Sequence, residues 1–526
     1  MRRRDLLRAG IAGAAVGPWV LRHSWAADNW GKLMENPWGT AGSSPIKRIL
    51  EIYIYGGLSP WETFYLNPKM GIGGGTGKCA TANACPTQGS KTAGNLQWGL
   101  FQCEFESIIR QNSATAPISK LFANNIHLGG ATRDLWRDDL FNRMRVLVCS
   151  HDLLPHEAAI PFCLTGTRLG KSTMAGTGAA VERRYGGGGT PVAFVIKPKG
   201  DTPSDNIKSA LSVGEHPAST RPLLLEPKCG GPDFSLLDRT ATPDQDELLK
   251  FYRNQYKARL TRVGESQPVR NRAYNEYASM LDSFFNTTAL KGTLSGFDKN
   301  DPLLGGTELK CVTDVGPRCP DFAGDAVRES LDFGAFLLRQ PSTKYVCVAD
   351  IGRQGSSGAG YDTHGPDLAQ NVFRNLGSTL GLLAKLTDPG TTANPKTPAI
   401  PADTLIVLTT EFGRSPDPDP AGGRRHWPSS YVQVILPPVA TNGPTLNGKT
   451  IVGGIDESAK LLAPANSRLG AITPTDLRAA MLLGLEIEPF APGNFGSGDL
   501  SEPIGGLGVS AGRKELVKQV LGYGIG

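Results

Sequence analysis

The stretch Thr404-Leu405-Ile406-Val407-Leu408-Thr409-Thr410-Glu411-Phe412-Gly413-Arg414 carries the reading of the fold. Its opening run, Thr404–Thr409, is short, apolar and β-branched-rich, and it stops at a polar turn. A strand buried on both faces reads this way. The same shape recurs at Ile49–Tyr55, Arg145–Cys149, Val192–Ile196, Tyr345–Ile351 and Tyr431–Leu436. Helical patterns lie between these runs. In Pro366–Leu386, the apolar residues Leu368, Val372, Leu376, Leu380 and Leu383 recur at intervals of three and four, with a proline near the start. Phe322–Leu338 and Pro474–Leu483 read similarly. Strands alternating with helices predict an α/β fold, with a mostly parallel central sheet and helices on both faces.

Two stretches break the rhythm. Residues 67–130 are rich in Gly, Thr and Asn and predict a loop-rich excursion; residues 243–290 predict a helical insertion of two helices with no strand between them. Glycine and proline are plentiful, 65 and 39 residues, so long loops are expected throughout.

The N-terminus, Met1-Arg2-Arg3-Arg4-Asp5-Leu6-Leu7-Arg8, resembles a twin-arginine export signal. The mildly apolar stretch after it, Ala9–Leu21, is interrupted by Gly10, Gly13, Gly17 and Pro18. It is too short and broken for a permanent membrane span. Cleavage after Ala26 would remove the signal peptide, residues 1–26, and leave residues 27–526 as a single α/β domain carrying the two insertions. That segment holds five arginines and one aspartate, so the formal net charge falls from +6 to +2 on its removal. A nearly neutral chain offers nothing for nucleic acid. The expected location is periplasmic or secreted, with the twin-arginine translocase as a partner during export. That route carries folded cargo, often with a metal already bound.

The nine cysteines are an odd number. Cys79 with Cys85, and Cys311 with Cys319, read as local disulfides in an oxidising compartment, and are too loosely spaced for zinc. Cys149 and Cys347 fall inside apolar runs and read as core residues.

In an open α/β sheet, ligands gather beyond the carboxyl ends of the strands. There the sequence places Gly56-Gly57-Leu58-Ser59-Pro60-Trp61-Glu62-Thr63-Phe64, then Tyr361-Asp362-Thr363-His364-Gly365, then Glu411-Phe412-Gly413-Arg414, and shortly after it Arg424-Arg425-His426-Trp427-Pro428. In locally extended chain Asp362 and His364 point to one side. Two carboxylates and two histidines suit a divalent cation (zinc, manganese, magnesium or calcium), leaving a position open for water or substrate.

These motifs, together with the twin-arginine start, resemble a family of exported bacterial proteins known as the domain of unknown function 1501 family. It is related to sulfatases and alkaline phosphatases, and the resemblance covers most of residues 46–490 outside the insertions. It implies an alkaline-phosphatase-like α/β fold and metal-dependent hydrolysis of phosphate or sulfate esters. On that resemblance Glu411 matches a metal-binding aspartate and Glu62 matches an acidic residue after the first strand. Phe412 stands where relatives carry a second ligand, and Arg425 stands where an aspartate commonly precedes the histidine. The stretch from Pro155 to Gly166 resembles the sulfatase nucleophile helix, with His156 at the nucleophile's place.

The reading is therefore an anionic-ester hydrolase. Asp362, His364, Glu411 and His426 would hold the metal, with Glu62 as a further ligand. His156 would be nucleophile, general base or ligand, its neutral form favoured by the helix N-terminus. Arg414 or Arg425 would hold the anion. Cys163 lacks the surroundings for conversion to formylglycine and is expected unmodified. The alternative is a non-catalytic exported protein of the same fold that binds a surface polymer or a partner protein. Replacing Arg3 and Arg4 together by lysine is expected to leave the precursor in the cytoplasm; cell fractionation showing unchanged export would refute the signal.

Overall fold

A computed structural model describes, with short internal breaks, residues 30–67, 119–197, 222–225, 242–266, 292–304 and 323–525. The leader 1–26, both expected disulfides, most of the 67–130 stretch and the second helix expected within 243–290 lie outside the described residues.

In chain order the elements are β1 (Arg48–Ile54), β2 (Arg145–Cys149), α1 (His156–Thr165), α2 (Thr177–Tyr185), β3 (Ala193–Ile196), β4 (Leu223–Leu225), α3 (Pro243–Ser266), α4 (Ala323–Leu338), β5 (Tyr345–Asp350), α5 (Leu368–Leu386), β6 (Thr404–Thr410), β7 (Gly413–Pro418), β8 (Arg424–Trp427), β9 (Tyr431–Leu436), β10 (Thr450–Val452) and α6 (Pro474–Gly484). A single eight-stranded sheet runs β10-β2-β9-β6-β1-β5-β3-β4. β1 is parallel to β6 on one side and to β5 on the other. Only β9 opposes its neighbours, β6 and β2. β7 and β8 form a separate antiparallel ribbon between β6 and β9. Among the described residues no helix is long and apolar enough to cross a membrane.

The central strand explains why the apolar runs are continuous. Leu50, Ile52 and Ile54 of β1 enter one core, with side chains of α4 and α5; Ile49 and Tyr53 enter the other, with side chains of α1, α2 and α6. Both faces of the sheet are covered, so both sets of alternating side chains are apolar. α6 starts where the sequence suggests: Thr473 and Asp476 form a reciprocal capping box, and Pro474 occupies the first turn.

The loop-rich stretch ends in structure that the sequence reading did not anticipate. Ser119–Ala123 and Ile126–Gly129 form a hairpin that sends Phe122, Ile126 and Leu128 into the first core. Asn124 and Asn125 at its tip both have positive φ, 49° and 62°, the backbone a tight two-residue hairpin needs and asparagine tolerates. The signal was present, but lay hidden in a segment whose composition reads as loop.

One residue of β1 breaks the apolar pattern. Glu51 is fully buried and meets Arg478 of α6 through two contacts of 2.5 Å. The Tyr345 and Thr409 hydroxyls donate to the same carboxylate at 2.6 and 2.7 Å. Burial would raise its pKa, but Arg478 and these hydroxyls overcome it and hold the group below its ordinary value. Arg478 also donates to the Cys163 carbonyl at 2.7 Å, which ties α6 to α1. Glu51→Gln is expected to destabilise the protein by about 3–5 kcal/mol by stranding a buried cation, whereas Glu51→Leu combined with Arg478→Met should cost far less. Denaturant unfolding of both variants checks this.

Candidate metal centre

At the carboxyl edge of the sheet the sequence motifs come together. α1 starts with His156, directly after Pro155. Its Nδ1 donates to Glu411 Oε1 at 2.8 Å, and its Nε2 lies 3.4 Å from Asp362 Oδ1. His364 Nε2 lies 3.1 Å and His426 Nε2 3.6 Å from the same oxygen. The two latter nitrogens are 3.0 Å apart. Ligand atoms of His156, Asp362 and His426 all fall within 4.8 Å of one another.

These spacings would also admit a coordination shell. A tetrahedral ion with metal–nitrogen bonds of about 2.0–2.1 Å sets its ligand atoms about 3.3 Å apart. The tautomers agree. His426 Nδ1 donates to the Leu154 carbonyl at 3.0 Å, which leaves Nε2 as a lone pair facing Asp362. His156 Nδ1–H is taken by Glu411, and its buried Nε2 faces Asp362 Oδ1 at 3.4 Å.

Glu411 takes a different part from the one the sequence suggests. It is fully buried and accepts four hydrogen bonds: from Gly56 N at 2.7 Å, His156 Nδ1 at 2.8 Å, the Tyr53 hydroxyl at 2.9 Å and the Thr410 hydroxyl at 3.3 Å. With its oxygens occupied, it orients His156 from behind instead of joining the cluster around Asp362 Oδ1. His151, which the sequence reading passed over, holds Glu411 in turn: its Nε2 donates to the Glu411 carbonyl at 2.6 Å, and its Nδ1 accepts from Leu153 N at 3.1 Å. Its signal was available, because it follows the end of β2 as the other motifs follow theirs.

Glu62 is not brought to the cluster. It pairs with buried Arg424 at 2.5 Å and accepts from the Ser59 hydroxyl. Arg414 is buried against Asp362, and its guanidinium also donates to the carbonyls of Gly56, Gly57 and Arg424. It has no surface to offer an anion. Arg425 is exposed, and alternation along β8 sends its side chain away from the face that carries His426. Phe412 packs its ring 4.8 Å from His156 and 4.4 Å from His426, with Tyr55 5.2 Å from His156. These rings wall the imidazoles from one side. Gly57, with φ +85°, allows this closeness, since a Cβ there would lie 2.7 Å from the Phe412 ring.

Electrostatics follows from this packing. Burial would push the His156 pKa down, but hydrogen bonds to Asp362 and Glu411 outweigh it and raise it to about 9. The neutral form expected from the helix N-terminus is therefore not favoured in the metal-free site: two carboxylates prevail over a helix dipole. Burial would likewise raise Asp362, but the three histidines and Arg414 hold it far below the usual carboxylate range. His426 is shifted down, by burial first and then by Arg414 and His156 against the pull of Asp362, which favours its ligating form.

No known family, curated protein or solved structure matches the chain.

A metal needs His156 neutral, so it must displace a proton held up to a pKa of about 9. Zinc affinity is therefore expected to rise about tenfold per pH unit from pH ~7 and level off above pH ~9. Calorimetric titrations in buffers of different ionisation enthalpy should detect the released proton. The metal-free protein behaves oppositely. Stabilisation from the raised His156 pKa is fully present below the unfolded value of about 6.5 and is lost as pH rises through about 9.

Proposed function

We propose that this chain is an exported, metal-dependent hydrolase of phosphate or sulfate esters, built on an alkaline-phosphatase-like α/β fold. The observation that carries the reading is the convergence of three imidazole Nε2 atoms on Asp362 Oδ1, at 3.4, 3.1 and 3.6 Å for His156, His364 and His426. The motif resemblance supplies the class of reaction; the donor set supplies the metal.

His156, Asp362 and His426 would hold the ion, with His364 at its edge. When bound, a divalent cation polarises the ester oxygen as a Lewis acid. The protein's own groups prepare that site. Glu411 fixes the His156 ring and its tautomer, and the Leu154 carbonyl does so for His426. Arg414 keeps Asp362 ionised. The Phe412 and Tyr55 rings keep water from the back of His156. The side chain of His364 is 46 % exposed and marks the open rim through which a substrate would approach.

Charge favours an anionic substrate. Asp362 and Glu411 carry two negative charges and Arg414 one positive, so a divalent cation leaves the site at a formal charge of +1. Such a site attracts an anionic ester without a free arginine. His156 then acts as a ligand and not as a nucleophile, because its one free nitrogen is the atom aimed at the ion.

His156→Ala is expected to lose metal and ester hydrolysis together, and Glu411→Gln to weaken metal affinity about 10–100-fold. Metal content and turnover of aryl phosphate and aryl sulfate, measured on the same preparations, check both. Activity lost with metal retained would return His156 to direct chemistry. Wild-type protein that is metal-free and inert on both esters would overturn the proposal in favour of polymer or partner binding.

A further inference from the structure

The helix α3 carries a pattern that the sheet and its edge do not use. Along Pro243–Ser266 the positions Asp244, Leu248, Phe251, Gln255, Ala258 and Arg262 follow one another at intervals of four, three, four, three and four. That spacing is the seam of a coiled coil, one stripe of a helix that fits against another helix. All six residues are exposed. Leu248 and Phe251 are 55 % and 57 % exposed, and Tyr252, whose ring lies 5.8 Å from that of Phe251, is 61 % exposed. Leu249, Tyr256 and Leu260 share a different side of the helix, and there Leu260 is buried. α3 is thus covered at Leu260 on one side while it presents large apolar groups to solvent on another, a cost that a partner would remove.

The seam is complementary to itself when reversed. Its midpoint is Arg253: Asp244 precedes it by nine residues and Arg262 follows it by nine, Leu248 and Ala258 stand five to either side, and Phe251 and Gln255 two. Laid antiparallel against a second α3, the helix sets Asp244 against Arg262, Leu248 against Ala258 and Phe251 against Gln255, each twice by symmetry. Opposite charges meet at both ends, and a large apolar side chain meets a smaller or more polar one in the layers between. Glu247 adds to the acidic end and Arg259 to the basic end. A parallel copy would instead oppose acid to acid and base to base. An anionic membrane would meet Asp244 and Glu247 at one end of the same stripe, and membrane-surface helices carry their basic residues along the whole polar face. We propose that α3 is a dimerisation helix, which pairs antiparallel with α3 of a second copy of this chain. The pairing is independent of the metal centre and of its reaction.

One helix pair lies at the small end of protein interfaces, so the dimer is expected to be reversible, with dissociation at about 1–100 μM. Sedimentation velocity of the full-length protein across that range should show monomer passing to dimer. Asp244→Arg and Arg262→Asp, each alone, should weaken the dimer about tenfold or more by setting like charges together, and the two combined should restore it. Leu248→Cys combined with Ala258→Cys should give, on oxidation, a covalent dimer linked between positions 248 and 258 of different chains, read by peptide mass spectrometry. These positions are exposed, and circular dichroism confirms that each variant is folded. Protein that stays monomeric throughout would overturn the proposal, whether the face is covered by its own chain or, as flotation with anionic vesicles would show, by a membrane. A dimer that ignores both charge changes and Phe251→Glu would place the interface elsewhere and overturn it equally.

Discussion

A guanidinium with no exposed surface needs acceptors fixed in advance, and that requirement at Arg414 organises the carboxyl edge of the sheet. Its partners are the carbonyls of Gly56 and Gly57 after β1, Asp362 after β5 and the Arg424 carbonyl in β8. Three separate chain segments must end within one side chain's reach. Gly56 shows how tight this is. Its carbonyl turns to Arg414 while its N–H turns to Glu411, so one peptide stretch faces a cation and an anion at once. That takes a φ of +110°, and a side chain there would overlap the Asp362 backbone.

The edge is also tied to the protein's interior. Arg478, paired with Glu51 deep under the sheet, donates to the Cys163 carbonyl; the Cys163 thiol donates to the Glu411 carbonyl at 3.1 Å, and Glu411 orients His156. Burial keeps that thiol protonated, so it serves as a donor and a spacer. α1 thus has its N-terminal histidine placed by polar contacts from both sides, and not by its apolar face alone. The ion pairs Glu51–Arg478 and Asp362–Arg414 carry the placement that apolar packing leaves free, because hydrophobic contact sets distance but not ring orientation.

Six of the eight sheet strands were legible because they are buried on both faces. Arg145–Cys149 and Tyr431–Leu436 appear with the bounds read from sequence, the other four shift by one residue at their ends, and the three-residue edge strands Leu223–Leu225 and Thr450–Val452 are too short to give a pattern and were not read. Asp362, His364 and His426 were singled out because ligand-type residues recur in the segments that connect the sheet strands on their carboxyl side. What escaped was which partner each charge would choose. Glu411 and Glu62 look alike in sequence; only the fold brings Arg424 to Glu62 and His156 to Glu411. Arg424 and Arg425 could be told apart only once residues 424–427 were known to be a strand, since alternation buries the first and exposes the second.

The single reversed strand, β9, has a consequence for how this protein could diversify. In a wholly parallel sheet each connection leaves at one edge and must cross a face to return at the other. Here the chain leaves β6 and re-enters through β9 on the same edge, so the ribbon of β7 and β8 hangs from two neighbouring anchor points. It behaves as a cassette. His426 sits at its base, beside the sheet, and Pro418 pairs with Arg424 further out. Changes in the length of this ribbon would alter no hydrogen bond of the central ladder, so variation there comes at little cost to folding.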